Sequence, residues 1–380
     1  MTPQIKLQKM AECADNFLKN DVFPKWINEG VFTDNRGFVE EFDLKTGKPA
    51  LQSFRRLRVQ GRQTWAFATA ATAGYDPEKN LQAAKYGWQA ITTQFALSGG
   101  GFMHSVDVNG QPLNEECFLY EQAFVLLGAA GLYGATKDEQ YLTEAKNLYS
   151  WINGNMKAEE GFYTSYGNPT EPRQQNPHMH LFEALMELYT VSDNKYWLDE
   201  ASKIYTLYQK YFYDSKYKLL REFFKADWKA YYPIKGDSIE PGHNFEWVWL
   251  LNHYRKLAQI DDKTKNDLYA FALKTTNDNS FGYDECDPKG KIIRKTSRLW
   301  VQTEELKANL AQYEVTSEDV FIERAEQCLD NIFTYYLRDN GLWGDQLDDK
   351  LNELSAITPA STFYHIYLAF AEVMRVAKLN

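Results

Sequence analysis

Residues 121–135 read EQAFVLLGAAGLYGA, and residues 361–374 read STFYHIYLAFAEVM. Wound as helices, both are apolar on nearly every side, and such a helix belongs in an interior. The stretch 137–152, KDEQYLTEAKNLYSWI, differs: acidic and basic residues share one face and apolar residues the other. Reading outward from these three segments, the two kinds alternate along the chain. The apolar spacing predicts helices near 4–28, 55–73, 79–96, 118–135, 138–155, 178–191, 195–212, 242–258, 262–277, 296–313, 317–336 and 359–378. The all-round apolar kind starts near 55, 118, 178, 242, 298 and 360, a recurrence that marks a repeat architecture. Six interior helices alternating with six amphipathic ones predict an all-α fold of two concentric rings, an (α/α)6 barrel. No Pro/Gly/Ser-rich linker interrupts residues 1–380, which predicts one catalytic domain.

The segments ahead of the interior helices are Gly-, Asp- and aromatic-rich: 98–114, 160–172, 217–232, 280–293 and 341–353. Their brief two-residue alternation predicts short hairpins gathered at one end of the barrel, where a rigid scaffold presents loops for function.

Composition narrows the function. The formal net charge of −10 repels phosphates and argues against a nucleic-acid partner. No 18-residue apolar run and no N-terminal apolar block is present, so no membrane span or secretory leader is expected. Cys13, Cys117, Cys286 and Cys328 are far apart and form no Cys-x-x-Cys pair, which fits free thiols in a reducing cytoplasm. No Gly-x-Gly-x-x-Gly or P-loop motif occurs, so no nucleotide cofactor is expected. Aromatics make up 15% of the chain; they fill a core and also suit the flat C–H faces of a sugar.

Each interior helix opens on polar residues that a core would reject: RRLRVQGRQTW (55–65), LYEQAF (119–124), NPHMHLFE (176–183), PGHNFEW (241–247), RLWVQTEE (298–305) and TFYHIY (362–367). If the six run parallel, these heads converge on one pocket. Helical spacing pairs His180 with Glu183, His243 with Glu246, Trp300 with Glu304 and Arg58 with Arg62. His178 and His180, two apart, must diverge. Taken singly, each group has a structural reading as a cap, a buried ion pair or a satisfied core histidine. His104 and His253 are expected to be structural or surface residues.

The blocks RVQGRQTWAFATA, LYEQAFVLLG, NPHMHLFEAL, PGHNFEWVWLL, LWVQTE and STFYHIYLA resemble, in order and spacing, the N-acylglucosamine 2-epimerase superfamily. The likeness runs from about residue 20 to 375 and is nearest to its mannose isomerase branch. The resemblance implies the (α/α)6 barrel and a small sugar substrate. It makes His243 and His365 the acid–base pair, with His180 and Glu246 beside them as catalytic groups. It gives Arg62 sugar oxygens to hold, and Glu304 a place among the binding residues. Trp300, Tyr120, Glu183 and Asn176, from the same helix heads, complete the candidate binding set.

Imidazole suits a reaction that opens a sugar ring and moves a proton beside its carbonyl, because it is both base and acid near neutral pH. The expected reaction interconverts D-mannose, or a relative such as D-lyxose, with D-fructose through a cis-enediolate. On this reading His365 opens the ring and His243 shuttles the proton, with the reverse allocation open. Glu246 is expected to orient His243. No metal is expected, since residues two apart on a helix do not share a ligand site. Alternatives are a sugar 2-epimerase using the same histidines, an (α/α)6 glycoside hydrolase, and a sugar-binding protein without catalysis. A phosphorylated substrate would draw on Arg55, Arg56, Arg58, Arg173 and Arg221. Monomer and dimer both remain open.

Overall fold

A computed structural model describes residues 1–34, 36–50, 52–170, 172–231 and 238–379. Glu171 and Tyr232, at the ends of two of the loops named above, lie outside the described residues. The helices are α1 (Pro3–Phe17), α2 (Phe23–Glu29), α3 (Leu57–Ala73), α4 (Pro77–Ala90), α5 (Leu119–Thr136), α6 (Glu139–Asn155), α7 (Gln175–Ser192), α8 (Lys195–Leu207), α9 (Pro241–Ala258), α10 (Thr264–Leu273), α11 (Leu299–Thr316), α12 (Asp319–Asn331) and α13 (Phe363–Leu379).

Odd-numbered helices from α3 to α13 form a closed inner ring, each packed on the next and α13 on α3. Each inner helix also packs on an outer one: α3 on α4, α5 on α6, α7 on α8, α9 on α10, α11 on α12, and α13 on α1. The chain is an (α/α)6 barrel, as its alternating periodicity predicts. No described helix is long and apolar enough to cross a membrane.

Where element boundaries depart from expectation, local chemistry explains it. The helix expected near 4–28 is α1 and α2 joined by a π turn, Leu18–Val22. Three more outer helices end in such turns, Ile91–Phe95, Tyr208–Phe212 and Ile332–Tyr336. A single extra residue per turn leaves apolar spacing almost unchanged. Helix α7 starts three residues before the expected 178, at Gln175, and takes Pro177 into its first turn, where a missing N–H has no partner to lose. Helix α10 stops at Leu273 rather than 277. There the hydroxyls of Thr275 and Thr276 donate back to the carbonyls of Ala272 and Leu273.

A short extended stretch leads into every inner helix and pairs with the loop ahead of the next one. Phe54–Arg56 pairs with Ser105–Asp107, Phe118 with Ser165, Arg173–Gln174 with Phe223–Phe224, and Ile239 with Cys286. Ser297–Arg298 pairs with Gln346–Leu347, and Ile357–Pro359 closes the circle on Glu41–Asp43. The helix heads are therefore fixed to one another around the mouth.

A side chain in the fourth position of five inner helices reinforces this. Gln60 accepts from the Phe38 N–H, Gln122 from Phe102, His178 from Phe162, Asn244 from Leu220 and Gln302 from Gly282. His178 is thus the local equivalent of three glutamines and an asparagine.

Candidate active site

The heads of all six inner helices border one cavity of about 580 Å³, within the usual range for small-molecule sites. The second and sixth positions of the inner helices, four apart and so on one face, supply seven of its lining residues. Arg58 and Arg62 come from α3, Tyr120 from α5, Asn176 and His180 from α7, Glu246 from α9, Trp300 from α11, and Ser361 and His365 from the last turn before and the first of α13. His243 joins them from the third position of α9. Gly242 is required here: a Cβ on it would lie 2.5 Å from the Trp300 indole.

Of the ten sequence-predicted site residues, eight border the cavity. Glu183 and Glu304 stand directly behind, as partners of histidines. His178 diverges from His180 as expected. Its Nδ1 bonds the Gln174 carbonyl at 2.8 Å and its Nε2 accepts from the Phe162 N–H at 3.0 Å, so it is a structural clasp. His253 lies off the cavity, stacked on Trp249.

Each of four cavity histidines has its Nδ1 on a carboxylate. His180 meets Glu183 at 3.1 Å, His243 meets Glu222 at 3.0 Å, His365 meets Glu304 at 2.8 Å, and His104 meets Glu121 at 2.8 Å. Their Nε2 atoms make no hydrogen bond to a described residue. A carboxylate on Nδ1 fixes ring orientation and tautomer.

Two expectations are corrected. The carboxylate that orients His243 is Glu222, from the loop strand region before α9, not Glu246. The loop brings Glu222 onto the Nδ1 edge of the ring, while Glu246 lies among Glu304 and Lys307. His104, expected to be structural or on the surface, borders the cavity with Glu121 and Arg58. Neither loop residue has a helical spacing to betray it; only the two-residue alternation in 98–114 and 217–232 hinted that these loops fold back.

The two central histidines differ in charge. Burial alone would lower His243, but Glu222, Glu240 and Glu246 surround it with negative charge and raise it to about 10. His365 is held well below the usual imidazole range by burial, and then by the Arg62 and Lys307 cations and His180. At neutral pH His243 is an imidazolium and His365 a neutral base. Burial brings His180 to about 4 despite Glu183. Trp300 contacts both central histidines, with ring centroids 5.2 Å (His243) and 5.8 Å (His365) from the indole.

Glu246 is buried, and its Oε1 has no hydrogen-bond partner among the described residues. Burial and the neighbouring Glu304 push it well up, opposed by the charges of Lys307 and His243, so it takes a proton more readily than a free carboxylate does. Burial also pushes Glu304 up, opposed by the Lys307 ammonium 2.7 Å away. Arg62 donates to the Tyr120 hydroxyl at 2.8 Å and the Ser361 carbonyl at 3.3 Å. Ligand-type atoms of His180, Glu183 and Glu246, and of Glu246, Glu304 and His365, come within 4.8 Å of one another. These are the described groups that could approach a cation, and Lys307 already places a positive charge among them.

Known proteins share this arrangement of sequence. The family profile for N-acylglucosamine 2-epimerase (GlcNAc 2-epimerase) matches residues 37–369. A Rhizobium meliloti (strain 1021) protein described as mannose-6-phosphate isomerase is 31% identical over 94% of this chain and 95% of its own length. A cellobiose 2-epimerase of Dictyoglomus turgidum is 26% identical over 88% of this chain and 89% of its own. Among solved structures, a D-mannose isomerase superposes with a TM-score of 0.85 at 21% identity, covering 97% of both chains. The cellobiose 2-epimerase of Bacillus thermoamylovorans B4167 gives 0.87 at 22%, covering 97% of this chain and 99% of that one; likenesses at this identity speak for the fold. With a profile matched over most of its length and a relative of that closeness, the chain belongs to the N-acylglucosamine 2-epimerase family.

Proposed function

We propose that this chain is a sugar isomerase or epimerase and, within that class, an aldose–ketose isomerase that converts D-mannose to D-fructose. The observation that carries the reading is the pair His243–Glu222 and His365–Glu304: two oriented imidazoles, one protonated and one neutral at rest, at one cavity. Neighbouring groups with pKa values driven apart mark an acid and a base.

The resting charges support the reverse of the allocation first expected. His243 gives its proton to the ring oxygen and takes up the anomeric hydroxyl proton, which opens the ring and leaves it an imidazolium. His365 Nε2 then removes the C2 proton. The C2–H electrons form the C1–C2 double bond as His243 protonates O1. His365 returns its proton to C1, and His243 recovers the O2 proton as the ketone forms. Arg62 and the protonated form of Glu246 are donors for the enediolate oxygens, and six inner-helix N-termini add positive potential at the mouth.

A 2-epimerase would use the same groups and deliver the proton to the opposite face of C2. The isomerase reading leans on the Rhizobium meliloti relative at 31% identity, whose name is mannose-6-phosphate isomerase. That name also brings a phosphorylated aldose into view, and Arg58 favours it: it borders the cavity with its carboxylate neighbour Glu121 no closer than 3.7 Å. Product analysis in heavy water tests the proposal. Fructose labelled at C1 is the expected product from mannose; glucose labelled at C2 would make the chain an epimerase. A larger kcat/KM for mannose 6-phosphate than for mannose would assign the phosphorylated substrate.

A further inference from the structure

Lys307 is wholly buried on α11, and nothing in its sequence surroundings marks it. The equivalent positions of α3, α5, α7 and α9 hold Trp65, Leu127, Glu183 and Trp249. Its ammonium lies 2.7 Å from Glu304 Oε2 and 4.3 Å from the centre of the Trp249 ring. The other oxygen of the same carboxylate, Oε1, is 2.8 Å from His365 Nδ1. One carboxylate thus joins a buried lysine to an imidazole that borders the cavity. Glu222 Oε2, which holds His243, accepts its other bond from the neutral Gln175 amide rather than from a described cation.

Burying an ammonium is expensive, and an apolar side chain of similar length would fill the space without that penalty. The groups facing His365 are Arg62 from α3, His180 and Glu183 from α7, Glu246 from α9, and Glu304 with Lys307 from α11. Among these, Lys307 touches the carboxylate that holds the ring. The tautomer explains why that matters. An anionic Glu304 can only accept, so His365 must carry its proton on Nδ1 and keep the Nε2 lone pair for the cavity. A protonated Glu304 could donate to Nδ1 and turn the ring into its other tautomer, with an N–H facing the sugar and no base.

We propose that Lys307 is a positioning residue that keeps Glu304 anionic and thereby locks His365 in the tautomer that presents a base. The inference rests on the isomerase reading above, in which His365 takes the C2 proton. Nitrogen-15 NMR of the histidine-labelled protein reads the tautomer directly. In the native protein the His365 Nε2 is expected to be unprotonated; a protonated Nε2 overturns the proposal without any variant. Lys307→Met is expected to lower kcat at least a hundredfold with KM within threefold, and to move the His365 proton to Nε2. Lys307→Gln serves the same readings if the methionine variant does not fold. An unchanged tautomer, or kcat within threefold of native, overturns it. A native protein that converts no aldose would instead remove the functional reading, and the NMR result would stand apart from it.

Discussion

Glu222 Oε2 lies 3.0 Å from His243 Nδ1, and the two residues come from different segments, a loop and a helix. This contact, with Glu240 and Glu246 nearby, keeps His243 protonated to about pH 10. The sign follows: the acid form is present below that value and is lost as pH rises through it. Glu222→Gln removes one charge, and the alkaline limb of kcat/KM is expected to fall by about one pH unit or more. A pH–rate profile checks it; an unmoved limb would mean that Glu222 does not govern the acid.

The acid and base are separable by substrate. His365→Asn is expected to lower kcat by about 10²–10⁴-fold on any aldose. His243→Asn should lose as much on closed-ring mannose but less on an aldose methylated at O4 and O5, which cannot close a ring. Equal losses on both substrates would return ring opening to His365.

Glu246 and Glu304 are both buried acids at this site, yet they are expected to respond differently to the same change. In the proposed mechanism Glu246 acts as a protonated donor, which an amide mimics, so Glu246→Gln should keep kcat within about tenfold, the scale of one neutral hydrogen bond altered. Glu304→Gln leaves Lys307 facing an amide and can turn an N–H₂ toward His365. Its kcat should fall at least tenfold further, measured side by side at neutral pH.

His178 offers a stability test away from the chemistry. Burial brings it to about 4, so the folded state excludes a proton that the unfolded chain binds below about 6.5. Stability is therefore full above that pH and falls as pH drops from about 6.5 toward 4. His178→Gln reproduces the clasp that Gln60, Gln122 and Gln302 make. It should hold the melting temperature at pH 7, lessen its decline toward pH 5, and leave kcat unchanged. His178→Leu strands the Phe162 N–H and the Gln174 carbonyl, and should cost about 2–4 kcal/mol in urea unfolding.

The inner helices were legible because they are apolar on all sides, as 121–135 shows, and the polar heads stood out against that background. His180, Glu183 and the Arg58–Arg62 pair could be placed from spacing alone. Glu222 and His104 could not, since they reach the site through loop pairings between segments far apart in the chain. Lys307 escaped notice because a charged residue in a helix normally marks the solvent face, and this one points to the axis. The π turns were hidden because the residues at their ends, such as Tyr208 and Phe212, stay four apart and both buried.

The pairing of Ile357–Pro359 with Glu41–Asp43 has a consequence for how the molecule is born. His365, the base of the proposed mechanism, sits on the last inner helix to leave the ribosome, and its lead-in strand must find a partner made more than three hundred residues earlier. Until that clasp forms, a growing chain holds His180, His243 and their carboxylates but no complete catalytic pair. On the proposed mechanism, nascent and truncated chains are expected to be silent toward sugar, and activity during synthesis would report the docking of this final segment.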